Sequence, residues 1–447
     1  MDILIIGAGD IGSQLAKRLS FERHNISMIE IDPLVASYTR EHLDVIVHQG
    51  SATSFALLKE AGIESAEVVA ALSNSDEVNI MVCRIAKKLG NKTTIARVRN
   101  PELLTSDYAL SKEEMGVDFL IHPEQEAARA ILRLIRQSNA TDIIEFENGK
   151  IELMGLRIDR GSPIIHTQVM DLASKFGELA FTIVAIKRGQ FTIIPRGSDI
   201  FMPGDQLFII FRKKHIKKVH ETFGMKSSQI KNIMVLGGGM IANFLCEGID
   251  KNVNIKIIER DSSKAHALSE KYGQALVIEG DGSNIDLLNF EGVTDMDEFI
   301  AITGDDETNI ITSLLAKHLA VPRTITLVRK NEYLPLTPTI GMDAVISKQQ
   351  MTVNAIQNFI RRKDVALYAE IPGVDAEIIE FIAKAGSKIV KKPLSKVSFP
   401  EKAIVGAVLK DGKDLVVPRG DTQIDPGDKV IVFSLPSAIK NIEKLFS

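Results

Sequence analysis

A chain of 447 residues is about three times a common domain length, so several cores are expected and a single one is excluded. With 54 basic against 58 acidic side chains the formal net charge is −4, which gives no overall electrostatic reason to bind nucleic acid, and 45 % apolar residues exclude a disordered chain. The longer apolar stretches, such as LAFTIVAI at 179–186, fall far short of the roughly 18 to 20 residues of a membrane span.

From the N-terminus, Met1 and Asp2 run straight into a strand without the basic region and cleavage site of a secretory signal, so a cytoplasmic location is expected. The runs ILIIG, ISMIEI, DVIVH, EVVAAL, TTIARV and DFLIH read as six short strands, with helical patterns between them. One such helix, SDEVNIMVCRIAKKLG, opens on polar capping residues and stops at Gly90. Strand and helix alternating in this way predict a parallel sheet. A second kind of region follows, rich in short β-like runs and turn signals such as PRGS and MPGD, and predicts a small α+β lobe. The basic run RKKHIKK at 212–218 then enters an amphipathic helix in which Ile216, Val219 and Phe223 share a face, so its charges are expected to be solvated.

Everything then recurs. Gly7 and Gly237, Gly50 and Gly280, Asn79 and Asn309, and Arg99 and Arg329 are all 230 apart by subtraction. In the β-rich regions PRGSDIFMPGDQLFIIF matches PRGDTQIDPGDKVIVF at an offset of 223, and Ile439, Ile442 and Phe446 repeat the amphipathic helix. The chain is a tandem duplication, with expected lobes at 1–138 and 139–225 and again at 231–362 and 363–447. The predicted fold is α/β: a duplicated Rossmann-like parallel-sheet lobe, each followed by a small α+β lobe.

The candidate sites lie where strands end. Gly7, Gly9 and Gly12, with Ala8, Asp10 and Ile11 between them, follow the first strand and open a helix. The first glycine permits the tight turn, the second lets a pyrophosphate reach the backbone, and the third lets helix and strand pack closely, with the helix dipole favouring phosphate. Glu30 ends the second strand, placed to accept ribose hydroxyls, with Asp32 as an alternative acid. The second copy has Gly237, Gly238, Gly239, Met240, Ile241 and Ala242, with Glu259 and then Arg260. Two adenine-nucleotide sites are therefore expected. Gly50 and Ser51, and Gly280 and Asp281, follow the third strands at the edge that takes adenine. Ser73 and Asn74, and Thr303 and Gly304, follow the fourth; these loops either touch nucleotide or cap the next helix through Asp76 or Asp306. Arg99 and Arg329 end the fifth strands, within reach of phosphates or of an acid on a neighbouring subunit.

Chemistry is harder to find. A dehydrogenase needs an acid or base against its substrate, yet the small lobes share no histidine, cysteine or paired-carboxylate motif, and His122 and His166 are unmatched between copies. Cys83 and Cys246 have no metal-ligand spacing and read as buried structural thiols. An NAD-dependent oxidoreductase and a sensor acting on a soluble partner are the alternatives to a regulatory nucleotide binder.

The motifs GAGDIG, IEID, ARVRNPE, IHPE, GGGMIA and IERD, with the paired PRG and PGD elements, together resemble the RCK (KTN plus TrkA-C) domain family over essentially the whole chain. The resemblance implies a non-enzymatic cytosolic subunit, peripheral on the inner face of the membrane, that binds NAD(H) and ATP or ADP and gates a membrane potassium transporter of the TrkH type. It also implies rings of such domains, four chains making an eight-domain ring. Glu124, in IHPE, falls where related proteins bring a carboxylate to a metal or phosphate site, whereas the second copy has Gln349 there. With Gly12 and Glu124 in the first copy against Ala242 and Gln349 in the second, the two sites are expected to differ, with metal-dependent binding of ATP or ADP mainly at the first and metal-independent binding of NAD(H) at the second.

Overall fold

The computed structural model describes residues 1–21, 24–90, 93–105, 107–146, 149–177, 179–225, 230–330, 333–334, 340–361, 368–370, 374, 376–410 and 414–446. The first copy opens with β1 (Asp2–Ile6), α1 (Asp10–Phe21), β2 (Asn25–Glu30), α2 (Pro33–His42), β3 (Ile46–Gln49), α3 (Phe55–Glu60), β4 (Val68–Ala71) and α4 (Asp76–Lys88). It continues through β5 (Thr93–Arg97), α5 (Lys112–Met115), β6 (Phe119–Ile121) and α6 (Pro123–Arg136). The first small lobe holds β7 (Ala140–Phe146), β8 (Ile151–Arg157), α7 (Leu172–Phe176), β9 (Phe181–Arg188), β10 (Phe191–Ile193), β11 (Gln206–Arg212) and α8 (Ile216–Phe223). The second copy repeats the series with β12 (Asn232–Leu236), α9 (Met240–Gly248), β13 (Asn254–Glu259), α10 (Ser262–Lys271), β14 (Ala275–Glu279), α11 (Ile285–Phe290), β15 (Glu298–Ala301) and α12 (Asp306–His318). It ends with β16 (Arg323–Leu327), β17 (Ala344–Ile346), α13 (Lys348–Arg361), β18 (Tyr368–Glu370), β19 (Glu377–Ile382), β20 (Ala403–Lys410), β21 (Asp414–Val416), β22 (Lys429–Ser434) and α14 (Ile439–Phe446). Among the described residues no helix is long and apolar enough to cross a membrane.

Two compact units emerge, Met1–Ala127 with Ser347–Asp364, and Ala128–Ile346 with Val365–Ser447. The first contains a parallel sheet in the order β3-β2-β1-β4-β5-β6. Its central strands are apolar on both faces, as covering helices require. One covering helix comes from far along the chain. Val353, Ile356 and Ile360 of α13 lie at helical spacing and join Ile3, Ile5, Leu15 and Leu19 in one core, and Phe359 stacks on Phe119 at 4.5 Å. Sequence order and spatial core therefore diverge: the helix that ends the second parallel-sheet region is built into the unit of the first.

The second unit contains the matching sheet β14-β13-β12-β15-β16-β17. Here the latter part of α6 packs on α9, so closely that a Cβ on Gly248 would lie 2.4 Å from Leu132. Arg323 donates to the Leu134 carbonyl at the end of α6 (2.9 Å), to the Ala140 carbonyl, and to buried Glu298 (2.7 Å). Burial pushes the Glu298 carboxyl above its ordinary value, against the pull of Arg323. The small lobes are antiparallel sheets, β10-β9-β11-β8-β7 and β18-β19-β22-β20-β21, that share one core through Val184, Phe208, Ile378, Ala407 and Phe433. The helices α8 and α14 bury Val219, Phe223, Ile442 and Phe446 and leave Lys217 and Lys218 exposed, the pattern expected of the basic run.

Candidate nucleotide sites

In the first unit β1 stops at Ile6 and the chain turns at Gly7, whose φ of +92° favours glycine. Gly12 is required by contact: a Cβ there would lie 2.0 Å from the Gly7 carbonyl oxygen. A Cβ at Gly9 would meet nothing within 4 Å among the described residues, so the space beside this residue at the start of α1 is open. Asp10 is exposed at the helix start and Ile11 is buried behind it.

The acid at the end of β2 organises this turn. Glu30 accepts from the Ala8 N–H at 2.6 Å with one oxygen and from the Asp32 N–H at 2.9 Å with the other, and is only 9 % exposed. Each carboxylate oxygen retains a further lone pair that can accept a hydroxyl. Asp32 is committed elsewhere: its side chain accepts from the Leu34 and Val35 N–H groups as the N-cap of α2. The second unit has the same device. Glu259 accepts from Gly238 N–H at 2.6 Å and Asp261 N–H at 2.8 Å, Gly237 has φ +107°, and Gly239 again faces open space. The copies differ in where they place their spare glycine. Ala242 is fully buried where the first copy needs Gly12, and Gly238 replaces Ala8, where a Cβ would lie 2.6 Å from Leu268 and 3.0 Å from the Glu259 side chain. Met240 is partly exposed, Ile241 is buried and Arg260 points to solvent.

The other expected loops reach the same sheet edges. Gly50 N–H donates to the Glu30 carbonyl at 2.8 Å and Gly280 N–H to the Glu259 carbonyl at 2.9 Å, which puts Ser51 and Asp281 beside the acids. Ser73 and Thr303 each bond an asparagine of the following helix, Asn79 and Asn309. The capping expectation is shifted by one residue. Ser75 and Asp305 are the N-caps, while Asp76 accepts from the Arg99 and Asn100 N–H groups, and Asp306 from those of Arg329 and Lys330. The Gly304 position is open.

The arginines sort unequally. Arg99 is exposed, and Arg329 pairs through Nε with Asp306 at 3.2 Å. The guanidinium turned toward the first turn is Arg97, overlooked in the sequence although ARVR offers both. Its Nη1 donates to Asn74 Oδ1 at 2.9 Å, and its Nε is buried with no hydrogen-bond partner among the described residues. Burial pushes its pKa down, opposed by Glu124, Asp76 and Asp10. A desolvated cation with an unused donor suits an anion. The second copy has Leu327 at this place by the offset of 230.

Glu124, expected at a metal, is held by Lys348 at the start of α13, 2.7 Å away, with His122 Nδ1 at 3.2 Å. Burial opposes ionisation, but the Lys348 ammonium outweighs it and holds the carboxyl below its ordinary value. Burial likewise pushes the His122 pKa down; its Nε2 is 3.0 Å from the Arg99 carbonyl. Among the described residues no three histidine, cysteine, aspartate or glutamate side chains converge as a metal site would require. Both cysteines are buried and free, with burial pushing the Cys83 thiol up to about 12 and Cys246 up to about 11.

Two TrkA-N domain matches cover residues 3–123 and 233–348, and two TrkA-C domain matches cover 153–224 and 378–447. The chain belongs to the TrkA family. It is 34 % identical to the Trk system potassium uptake protein TrkA homolog 1 of Methanosarcina mazei, with all of both chains covered. It is 32 % identical to the Trk system potassium uptake protein TrkA of Haemophilus influenzae, covering 100 % of this chain and 98 % of that one. The fold is that of RCK domains. A GsuK channel bound to NAD aligns over 100 % of this chain and 78 % of that chain at TM-score 0.60 and 18 % identity. GsuK bound to ADP aligns over 81 % of this chain and 70 % of that chain at TM-score 0.51 and 18 % identity.

Proposed function

We propose that the chain is a nucleotide-responsive, non-enzymatic subunit that gates potassium uptake through a membrane transporter of the TrkH type, working as a homotetramer on the cytoplasmic face of the membrane. The observation that carries the nucleotide part is the twice-built turn, in which a strand-end glutamate fixes the amides beside an open glycine. Full-length relatives that are Trk system potassium uptake proteins support the potassium part, GsuK proteins of the same fold that bind NAD and ADP support the nucleotides, and the TrkH-type membrane partner rests on the resemblance to the RCK domain family.

The two sites take different ligands in this reading. The first, with Arg97 beside Asn74, suits the denser phosphate charge of ATP or ADP; the second, with Leu327 in place of that cation, suits NAD(H). A divalent ion could reach Glu124 only by displacing Lys348, so a cation, if one binds, is brought by the phosphates. Switching needs no bond chemistry: a ligand moves a two-state assembly by its differential affinity for the two states, and two ligands with opposite preferences drive it in opposite directions.

Calorimetric titration with NADH, NAD, ATP and ADP, with and without Mg²⁺, tests the site assignment. Arg97→Gln should weaken ATP and ADP while sparing NAD(H); an equal loss for all four would refute the division. Incubation with NADH and carbonyl substrates should give no protein-dependent oxidation, and saturable turnover would restore the oxidoreductase reading.

A further inference from the structure

The basic run that enters α8 borders a cavity of about 650 Å³, whose other walls come from the last turn of α6 and from β7 and β8. Part of its charge is internally matched. Lys213 lies 3.0 Å from Glu152 and 3.4 Å from Glu145, and Gln137 donates to the second Glu152 oxygen at 2.9 Å. Arg133 is 4.0 Å from Glu145. What is left over is cationic: Arg136 and Lys217 line the same cavity with no side-chain partner among the described residues, against the single remaining carboxylate of Glu221.

The helix itself points the same way. α8 has no acid in its first turn and no side-chain cap, and Lys213, Lys214 and His215 precede it. Cations at the positive end of a helix dipole are the reverse of the stabilising arrangement, and a bound anion would relieve it. The second copy has removed the problem, with Pro436, Ser437 and Ala438 at the positions of Lys213, Lys214 and His215 by the offset of 223, and Glu443 at that of His220. His220 also lines the cavity, and its Nε2 is buried with no hydrogen-bond partner among the described residues. Ile143, Ile216 and Met225 supply apolar wall for the body of a ligand.

We propose that this cavity, which exists independently of the two glycine-turn sites, binds a phosphate monoester, its phosphate lying between Arg136 and Lys217 at the start of α8 with His220 Nε2 as a further hydrogen-bonding group. The chemistry is shared by small soluble phosphates and by a phosphomonoester lipid headgroup. Because the chain has no tryptophan, a Met225→Trp full-length variant places a single reporter in the wall. Glycerol 3-phosphate, and separately phosphatidylcholine vesicles with and without phosphatidic acid, are titrated into it, glycerol serving as the uncharged control. A saturable fluorescence change with glycerol 3-phosphate, or only with phosphatidic acid vesicles, is expected and identifies the source. Adding Arg136→Gln with Lys217→Gln should weaken it at least about a hundredfold, each of the two lost charge-assisted contacts being worth about tenfold or more. Calorimetry of the unlabelled chain against the same double variant reads the same difference without the tryptophan, and NADH titration of that variant should be unchanged. The proposal is overturned if neither probe gives a saturable signal by either method, or if the double variant binds as tightly as the parent.

Discussion

Replacing Glu30 by alanine separates two roles that the structure combines in one carboxylate. Its oxygens accept from Ala8 N–H at 2.6 Å and Asp32 N–H at 2.9 Å, in a side chain only 9 % exposed. Removing it leaves the Ala8 N–H without its acceptor, and Ala8 is 4 % exposed, so an unsatisfied buried donor of about 1 to 3 kcal/mol is created in the free protein. That part appears as lost stability of the first unit. Ribose bonds to the remaining lone pairs exist only in the complex. At roughly 1.5 to 3 kcal/mol for a hydrogen bond to a charged group, their loss weakens binding about tenfold to a hundredfold. Thermal unfolding and nucleotide calorimetry on Glu30→Ala, Glu259→Ala and the double variant read the two effects separately. Each single variant should weaken one site by that factor and leave the other unchanged. If the double variant is destabilised but binds nucleotide with parental affinity at both sites, the glutamates serve the turn alone and the ribose assignment is wrong.

Further expectations follow from particular contacts. Gly12→Ala drives a methyl group into the Gly7 carbonyl at 2.0 Å and should cost about 1 to 3 kcal/mol, whereas Ala242→Gly should cost no more than about 1 kcal/mol; equal denaturation midpoints for the two would refute the contact argument. Arg323→Met leaves Glu298 buried without its cation and should cost about 3 to 5 kcal/mol, part of which Glu298→Gln in the same chain should restore; no recovery in the double variant would place the loss in the Leu134 and Ala140 carbonyls. Asp142 has its carboxyl pushed up to about 6 by burial, above an unfolded value of about 3.9, so the folded state holds the extra proton and stability falls as pH rises between those values. Asp142→Asn should remove that part of the slope and raise the urea midpoint at pH 7, and a lower midpoint there would show that the ionised form is the one stabilised.

Much of this architecture is written locally. The apolar runs before Gly7 and Gly237, the acids that end the second strands and the constant offset of 230 are short-range or repetitive signals, and they specify the parallel sheets and both turns. The closing helices α8 and α14 are legible for the same reason, since Ile216, Val219 and Phe223 declare a face by spacing. What escaped is long-range or a matter of burial. Nothing near Glu124 announces that Lys348, 224 residues later, will neutralise it, and the stripe of α13 declares a buried face but not which core it enters. Arg97 and Arg99 are equivalent as letters, and only the half-burial of one, with its Nε enclosed, and the exposure of the other divides their roles. Asp76 and Ser75 are both good N-caps by type, and the choice falls to the backbone after β5, whose free N–H groups claim the Asp76 carboxylate.

Under the proposed function, nucleotide held at the two glycine turns controls potassium movement. Potassium uptake should therefore be measured in cells lacking this chain and supplied with the parent or with Gly9→Val and Gly239→Val together. Both substituted positions face open space, so the variant should fold while the new side chains exclude pyrophosphate. The parent should restore nucleotide-dependent uptake at low external potassium, and the folded double variant should not. Full restoration by a double variant shown by calorimetry to bind no nucleotide would contradict the account.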